Sequence, residues 1–425
     1  MKPLTIMLIA GEASGDLLAA ELVGALRENV IARSQNTTTD VQPLRTALAP
    51  RFFGAGGPRM AEAGVELAFD LTQHSVIGLS EVLKNYSTFR RLFRQLVRLA
   101  IERQPDVIIG VDYGGFNLRF GKAIKAYVRK HRKEFAPWNP KIVQFVSPQV
   151  WASRPGRAYT LAENYDLLLS IFPFEKDWYA KRVPKLHVEF VGHPMVGRPG
   201  IAESIEGSEE RSVPSAVLLP GSRADEVRRH WPVLVDAATL MAKQMPEVVF
   251  RVVLPNANLL GLLWLEFASK SGKEQMAGTP TPGDVETCAA SLGLNVVVQI
   301  GNVSEALASA DVAITKSGTI TMECAAFGVP AVVFYKTSWP TYLIGKQIVS
   351  VKYLAMPNLM AGETIYPEFI QQEATAENIS RAALELLRDE SRRATVKTKL
   401  TQVIKTLGGP GAAGRAAEAI SDLLP

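Results

Sequence analysis

Cysteine is nearly absent from this chain. Its two residues, Cys288 and Cys324, supply neither a disulfide framework nor a zinc set, and they fit a protein kept in a reducing compartment. Long apolar runs are missing too. No uninterrupted stretch approaches the roughly 20 residues that a membrane-spanning helix needs, so a membrane contact would have to be peripheral. The apolar start at residues 4–10 ends in Gly11-Glu12; it is too short to span a bilayer, lacks a persuasive cleavage site and reads as a first strand. Several catalytic signatures are also absent. No G-x-x-x-x-G-K-[ST] occurs, which excludes a P-loop, and Ser14 stands in G-E-A-S-G, which is no hydrolase elbow. Gly54-Ala55-Gly56-Gly57-Pro58-Arg59 fails the dinucleotide fingerprint at its third glycine. Positive charge is only slightly in excess, 47 Lys and Arg against 42 Asp and Glu, which permits an anionic surface as partner without pointing to nucleic acid.

What is present is a repeated strand-and-turn pattern. Buried-type apolar runs at 4–10, 106–112, 141–147, 166–171 and 188–191 each end in a polar or glycine-bearing turn, and helical spacing fills the gaps between them. Residues 29–50 read as a surface excursion and 271–284 as a loop. Residues 194–215 have linker composition, and runs at 216–219, 248–254, 296–300, 311–314 and 331–335 repeat the pattern beyond it. The expected architecture is α/β, with two Rossmann-like domains, 1–198 and 199–425, whose turns face a central cleft.

In open parallel sheets, ligands sit beyond the carboxyl ends of the strands, which singles out particular turns. Glu12, Ser14 and Asp16 follow the first strand, though Ser14 or Asp16 could simply cap a helix. Asp112 ends another strand, where a carboxylate can take a proton from a hydroxyl or merely satisfy its own turn. His193 could bond a sugar or phosphate, although a lone histidine is more often structural. In the second half, Gly221-Ser222-Arg223 and Ser317-Gly318-Thr319 are turns suited to phosphate, with Glu323 placed for a ribose diol; the alternatives are a surface ion pair for Arg223 and a helix cap for the hydroxyls. No D-x-D occurs, so a diphosphate here would have to be met by Arg223 and helix N-termini. Finally, residues 84–103 form a basic amphipathic pattern with Arg90, Arg91, Arg94 and Arg98 on one side. It reads either as a solvated face or as one that meets an anionic membrane, with Val76-Ile77-Gly78-Leu79 as a candidate apolar extension.

Gly11-Glu12-Ala13-Ser14-Gly15-Asp16, Gly110-Val111-Asp112, Ser147-Pro148-Gln149-Val150-Trp151, Phe172-Pro173-Phe174-Glu175, Gly192-His193-Pro194, Leu218-Leu219-Pro220-Gly221-Ser222-Arg223, Ser317-Gly318-Thr319 and Pro357-Asn358-Leu359 together resemble the lipid A disaccharide synthase family along nearly the whole chain. That resemblance implies a GT-B fold and an inverting transfer from UDP-2,3-diacylglucosamine to 2,3-diacylglucosamine 1-phosphate. The product would be a β-1,6 disaccharide with release of UDP, at the cytoplasmic face of the inner membrane, with no cofactor and no metal. It implies Asp112 as general base and Glu12 and Ser14 on the acceptor side. It places Arg223, Ser222, Ser317, Gly318 and Thr319 at the diphosphate, Glu323 at the ribose and Asn358 near the nucleotide. It favours the membrane reading of the arginine helix. It leaves the helices after the glycine-rich break at 408–411 either packed back on the first domain or exchanged in a homodimer. The rival readings are another GT-B enzyme using a UDP-sugar (an epimerase or a soluble-acceptor transferase) and a non-catalytic nucleotide-sugar-binding scaffold.

Overall fold

The computed structural model describes residues 3–36, 49–74, 86–132, 137–198, 201, 213–272 and 278–424. It divides into two compact units: Met1–Val196 with Leu407–Pro425, and Gly197–Thr406. The division falls just before the expected 198/199 boundary and returns the last segment to the first unit. Among the described residues no helix is long and apolar enough to cross a membrane.

In the first unit, seven strands pair in the order β3-β2-β1-β4-β5-β6-β7: β1 Thr5–Ala10, β2 Arg51–Gly56, β3 Glu66–Asp70, β4 Val107–Val111, β5 Lys141–Phe145, β6 Leu167–Ser170 and β7 Val188–Phe190. All pairings are parallel. The runs Ile6 to Ala10 and Val107 to Val111 are buried throughout, as a sheet covered by helices on both faces requires. Strand order reverses between β1 and β4, which opens a crevice at their carboxyl ends.

The second unit repeats the plan with six parallel strands, β10-β9-β8-β11-β12-β13: β8 Ser215–Leu219, β9 Val249–Leu254, β10 Val296–Ile300, β11 Val312–Lys316, β12 Ala331–Tyr335 and β13 Glu368–Ile370. Its reversal lies between β8 and β11, the two strands that end in the phosphate-suited turns.

Two expectations about chain course are corrected. The helix after β1 starts at Ala13 and runs to Asn36, so the excursion placed at residue 29 begins later; residues 37–48 lie outside the described residues. What carries the helix past Glu28 is a tertiary partner. The helix Ala412–Ser421 packs along it, and Arg33 pairs with Asp422 at 2.6 Å. The loop expected to reach residue 284 ends earlier, because Pro282–Ala290 is helical. There Thr281 Oγ1 accepts the Asp284 N–H while the Asp284 carboxylate accepts the Thr281 N–H, a reciprocal cap. Val76-Ile77-Gly78-Leu79 and, within the 194–215 linker, residues 199–200 and 202–212 also lie outside the described residues.

Candidate active site

The first unit's site is built around Asp112, just past β4. Asp112 and Tyr113 both adopt left-handed backbone, φ 50° and 43°. Such a conformation costs non-glycine residues roughly 1–3 kcal/mol each and persists only where neighbours hold it. Here they do. The Asp112 N–H donates to Phe145 O at 2.8 Å, and its carbonyl accepts from Asn117 Nδ2 and Gln144 Nε2, each at 2.8 Å. Asn117 and Gln144 are both buried, so the clamp is internal. Gln144 was legible only as a polar break in the apolar run of β5, and neither residue stood out as functional.

The Asp112 side chain points toward the start of the first helix. A β-carbon on Gly15 would lie 3.4 Å from the Asp112 β-carbon, and the Ser14 hydroxyl donates to the carboxylate. Burial pushes this carboxyl above its ordinary range, and the bonds from the Tyr113 N–H and Ser14 offset only part of that. The Tyr113 ring fills the space beside Gly11, where a β-carbon would come within 2.3 Å of it. Burial, and then the charge of Glu12, raise the Tyr113 phenol. Glu12, Ser14, Asp112 and Tyr113 therefore form one cluster. Asp16 does not belong to it: its buried carboxylate accepts the N–H groups of Gly57, Arg59 and Met60 at 2.7, 2.9 and 3.1 Å and braces the turn after β2.

Other motif residues have internal partners as well. Glu175 is fully buried and accepts from Trp151 Nε1 at 2.9 Å. Burial drives its carboxyl up to about 7 despite bonds from Trp151, Ser147 and the N–H groups of Phe172 and Ile171. The Ser-Pro-Gln-Val-Trp and Phe-Pro-Phe-Glu motifs thus meet in one interior network. The His193 N–H donates to Leu407 O at 2.9 Å, so this residue helps seat the returning C-terminal segment.

In the second unit a pocket of about 340 Å³ opens at the carboxyl ends of β8, β9 and β11. Gly221, Ser222, Lys316, Thr319 and Glu323 give it polar walls, and Val253, Leu254 and Pro255 give it an apolar side. Glu226 organises the phosphate-suited turn. Its carboxylate accepts the Ser222 N–H at 3.0 Å and Lys316 Nζ at 2.9 Å, with Arg223 at 3.9 Å. Gly221, at φ 133°, is required for this approach, because a β-carbon there would sit 2.7 Å from that of Glu226. Burial would raise Glu226, but the charge and bond of Lys316, the Ser222 N–H and Arg223 outweigh it and hold the carboxyl low. Beneath the turn, buried His230 faces Pro220 O from Nδ1 at 2.8 Å and Lys336 O from Nε2 at 3.1 Å, tying the turns after β8 and β12 together.

Of the residues expected at a nucleotide, Ser222, Thr319 and Glu323 line this pocket, and Arg223 stands beside it over Glu226. Burial raises the Glu323 carboxyl, with the charge of Arg198 opposing. Ser317 turns its hydroxyl to Leu354 O at 2.9 Å. Gly318, at φ 144°, offers its carbonyl to Thr321 Oγ1 at 2.7 Å. Asn358 is not among the residues that line this pocket. It is fully buried, its amide donates to Tyr366 O and Glu368, and its oxygen accepts the Ile365 and Tyr366 N–H groups. These bonds fix the course of its own loop. Lys316 and Asn302 are polar pocket residues that sequence reasoning missed; a lysine ending a strand carries no local signal of function.

A family model described as lipid-A-disaccharide synthetase matches residues 6–270 and 285–421. The lipid-A-disaccharide synthase of Trichlorobacter lovleyi is 34% identical over 424 residues, covering 98% of this chain and 96% of the relative. That of Myxococcus xanthus is 33% identical over 428 residues, covering 100% and 98%. Among solved structures, the kitacinnamycin glycotransferase matches with a TM-score of 0.55 at 16% identity, covering 100% of both chains. A UDP-N-acetylglucosamine 2-epimerase matches at 0.52 and 13%, covering 99% and 95%. At these identities the structural likeness speaks for a shared GT-B fold class and for nothing finer.

Proposed function

The chain belongs to the lipid-A-disaccharide synthase family, glycosyltransferases of lipid A biosynthesis, and from that premise we propose how its two sites divide the reaction. The donor is UDP-2,3-diacylglucosamine and the acceptor 2,3-diacylglucosamine 1-phosphate. Asp112 takes the proton from the acceptor 6-hydroxyl. That oxygen bonds to the donor's anomeric carbon from the face opposite the diphosphate, the carbon–oxygen bond to the diphosphate breaks, and its electron pair leaves with UDP. The product is the β-1,6 disaccharide 1-phosphate, with inversion. Glu12 and Ser14 orient the acceptor around Asp112. The nucleotide occupies the pocket lined by Ser222, Thr319 and Glu323, with Glu323 at the ribose. Lys316 and Arg223, which Glu226 holds in place, meet the charge on the departing diphosphate.

The observation that carries this reading is Asp112, a carboxylate held in strained backbone by two buried amides, with its pKa raised toward the range a general base needs. The test is UDP release with the acylated acceptor against its deacylated form. Turnover only with the acylated acceptor is the expected result, and equal rates would instead indicate a soluble-acceptor enzyme.

We infer that acylated substrates bring the enzyme to the inner face of the cytoplasmic membrane, and the arginine helix suits that location. Tyr86–Arg103 buries Leu92, Leu96 and Ala100 in the core, which leaves Arg90, Arg91, Arg94 and Arg98 exposed as a row. Its apolar stripe is therefore committed inward, and only the guanidinium groups reach lipid phosphates. Flotation with anionic vesicles that falls as salt rises is expected, and salt-insensitive flotation would remove the helix from this role.

A further inference from the structure

The second unit carries an apolar helix that its own core does not bury. In Trp339–Ile348, Trp339 is 53% and Leu343 57% exposed; they lie four residues apart and so share a face. Tyr342 and Lys346 fall on that same face by helical spacing, and the Tyr342 ring packs edge-on against Trp339 at 5.8 Å. Ile348 and Val349, also exposed, continue the apolar surface at the helix end.

The foot of the helix is firmly held. Thr337 exchanges two hydrogen bonds with the Gln371 side chain, at 3.1 and 2.9 Å, and Arg229 donates to Thr337 Oγ1 at 3.3 Å. This apolar surface is therefore presented on an anchored base.

Charge indicates what covers it. Lys336, Lys346 and Lys352 lie in the stretch 336–362, which contains no aspartate or glutamate, and Arg229 adds a cation at the foot. The acids that follow have partners of their own: Glu363 pairs with Lys399 at 2.6 Å, and Glu368 accepts the N–H groups of Leu354 and Ala355. A second copy meeting this face about a two-fold axis would bring the lysines of this stretch together with no carboxylate of the stretch to offset them. A tryptophan and a tyrosine beside leucine and lysines is instead the composition of a surface that sits at lipid headgroups.

We propose that the helix Trp339–Ile348 docks on an anionic phospholipid surface, seating Trp339 and Leu343 at the headgroup–acyl boundary while Lys336, Lys346, Lys352 and Arg229 meet lipid phosphates. This contact belongs to the second unit and is separate from the arginine helix of the first; it needs neither substrate nor turnover.

The experiment uses the full chain with vesicles of phosphatidylglycerol or phosphatidylcholine whose acyl chains are brominated near the headgroup, and reads tryptophan fluorescence. The chain has six tryptophans, so the difference between parent and Trp339→Phe isolates Trp339. Quenching that disappears in Trp339→Phe and is confined to phosphatidylglycerol is expected. Leu343→Glu, with an unchanged melting temperature, should weaken vesicle partition about tenfold. Equal quenching in parent and Trp339→Phe, with flotation retained, would overturn this proposal and leave the arginine helix as the membrane contact. Dimerisation that Leu343→Glu abolishes, without Trp339 quenching, would assign the face to a second copy and equally overturn it.

Discussion

Asp112 and Glu175 are two carboxyls of one unit that burial raises. Asp112 is reached from the turn at the sheet's reversal point, whereas Glu175 is sealed among Trp151, Ser147 and backbone N–H groups. For Glu175 the consequence is one of stability. Its folded pKa is raised from 4.5 to about 7, so the folded state binds its proton more tightly than the unfolded chain does. The associated stability is complete below the unfolded value and is lost as pH rises through the folded one. A shift of this size corresponds to roughly 3 kcal/mol. The parent's melting temperature should therefore fall between about pH 5 and pH 8, and Glu175→Gln should flatten the fall. Asp112, also raised, contributes with the same sign, so some slope remains. An identical slope in parent and Glu175→Gln would show that this carboxyl does not titrate as its burial requires. Lys316 bears on binding instead: Lys316→Met should weaken UDP binding about tenfold, the worth of one charge-assisted contact, as read by calorimetry. At this scale Asp112 could be read from the sequence because it ends an apolar run. The clamp by Asn117 and Gln144 could not, since it depends on which strand lies beside which.

The sequence motifs are mostly places where elements are fastened together. Gly192, at φ 82°, takes the left-handed backbone that favours glycine, and a β-carbon there would displace the end of Arg415, 2.5 Å away; the guanidinium of Arg415 in turn donates from Nε to Val191 O at 2.8 Å. Gly-His-Pro thus receives the C-terminal segment. The Pro-Asn-Leu turn is a loop brace through Asn358. Asn358→Ala would leave the Ile365 and Tyr366 N–H groups and Tyr366 O unpaired in the interior, a loss of about 3 kcal/mol or more. Thermal unfolding of this variant should begin well below that of the parent; an unchanged melting temperature with weaker UDP binding would return Asn358 to the nucleotide. Spacing alone located both motifs. It did not reveal that they act on backbone, because a fully satisfied amide and a ligand-binding amide look alike in sequence. The helix ends were misplaced for a similar reason: Ala13–Asn36 is prolonged by a helix nearly 400 residues later in the chain, beyond the reach of local periodicity.

Across the whole molecule, the chain forms one α/β plan twice, each sheet parallel with its order reversing at a single point, and then returns Leu407–Pro425 to the first unit. This duplication was legible because fully apolar runs ending in small or polar turns mark buried parallel strands. The proposed division of labour follows from it, with Asp112 at the first reversal point and a pocket lined by Lys316, Ser222 and Thr319 at the second. The measurement that tests this most directly compares UDP affinity with disaccharide formation in Asp112→Asn. The account predicts parental UDP affinity and product formation reduced by at least about a thousandfold. Substantial product from Asp112→Asn, or loss of UDP binding along with activity, would contradict it.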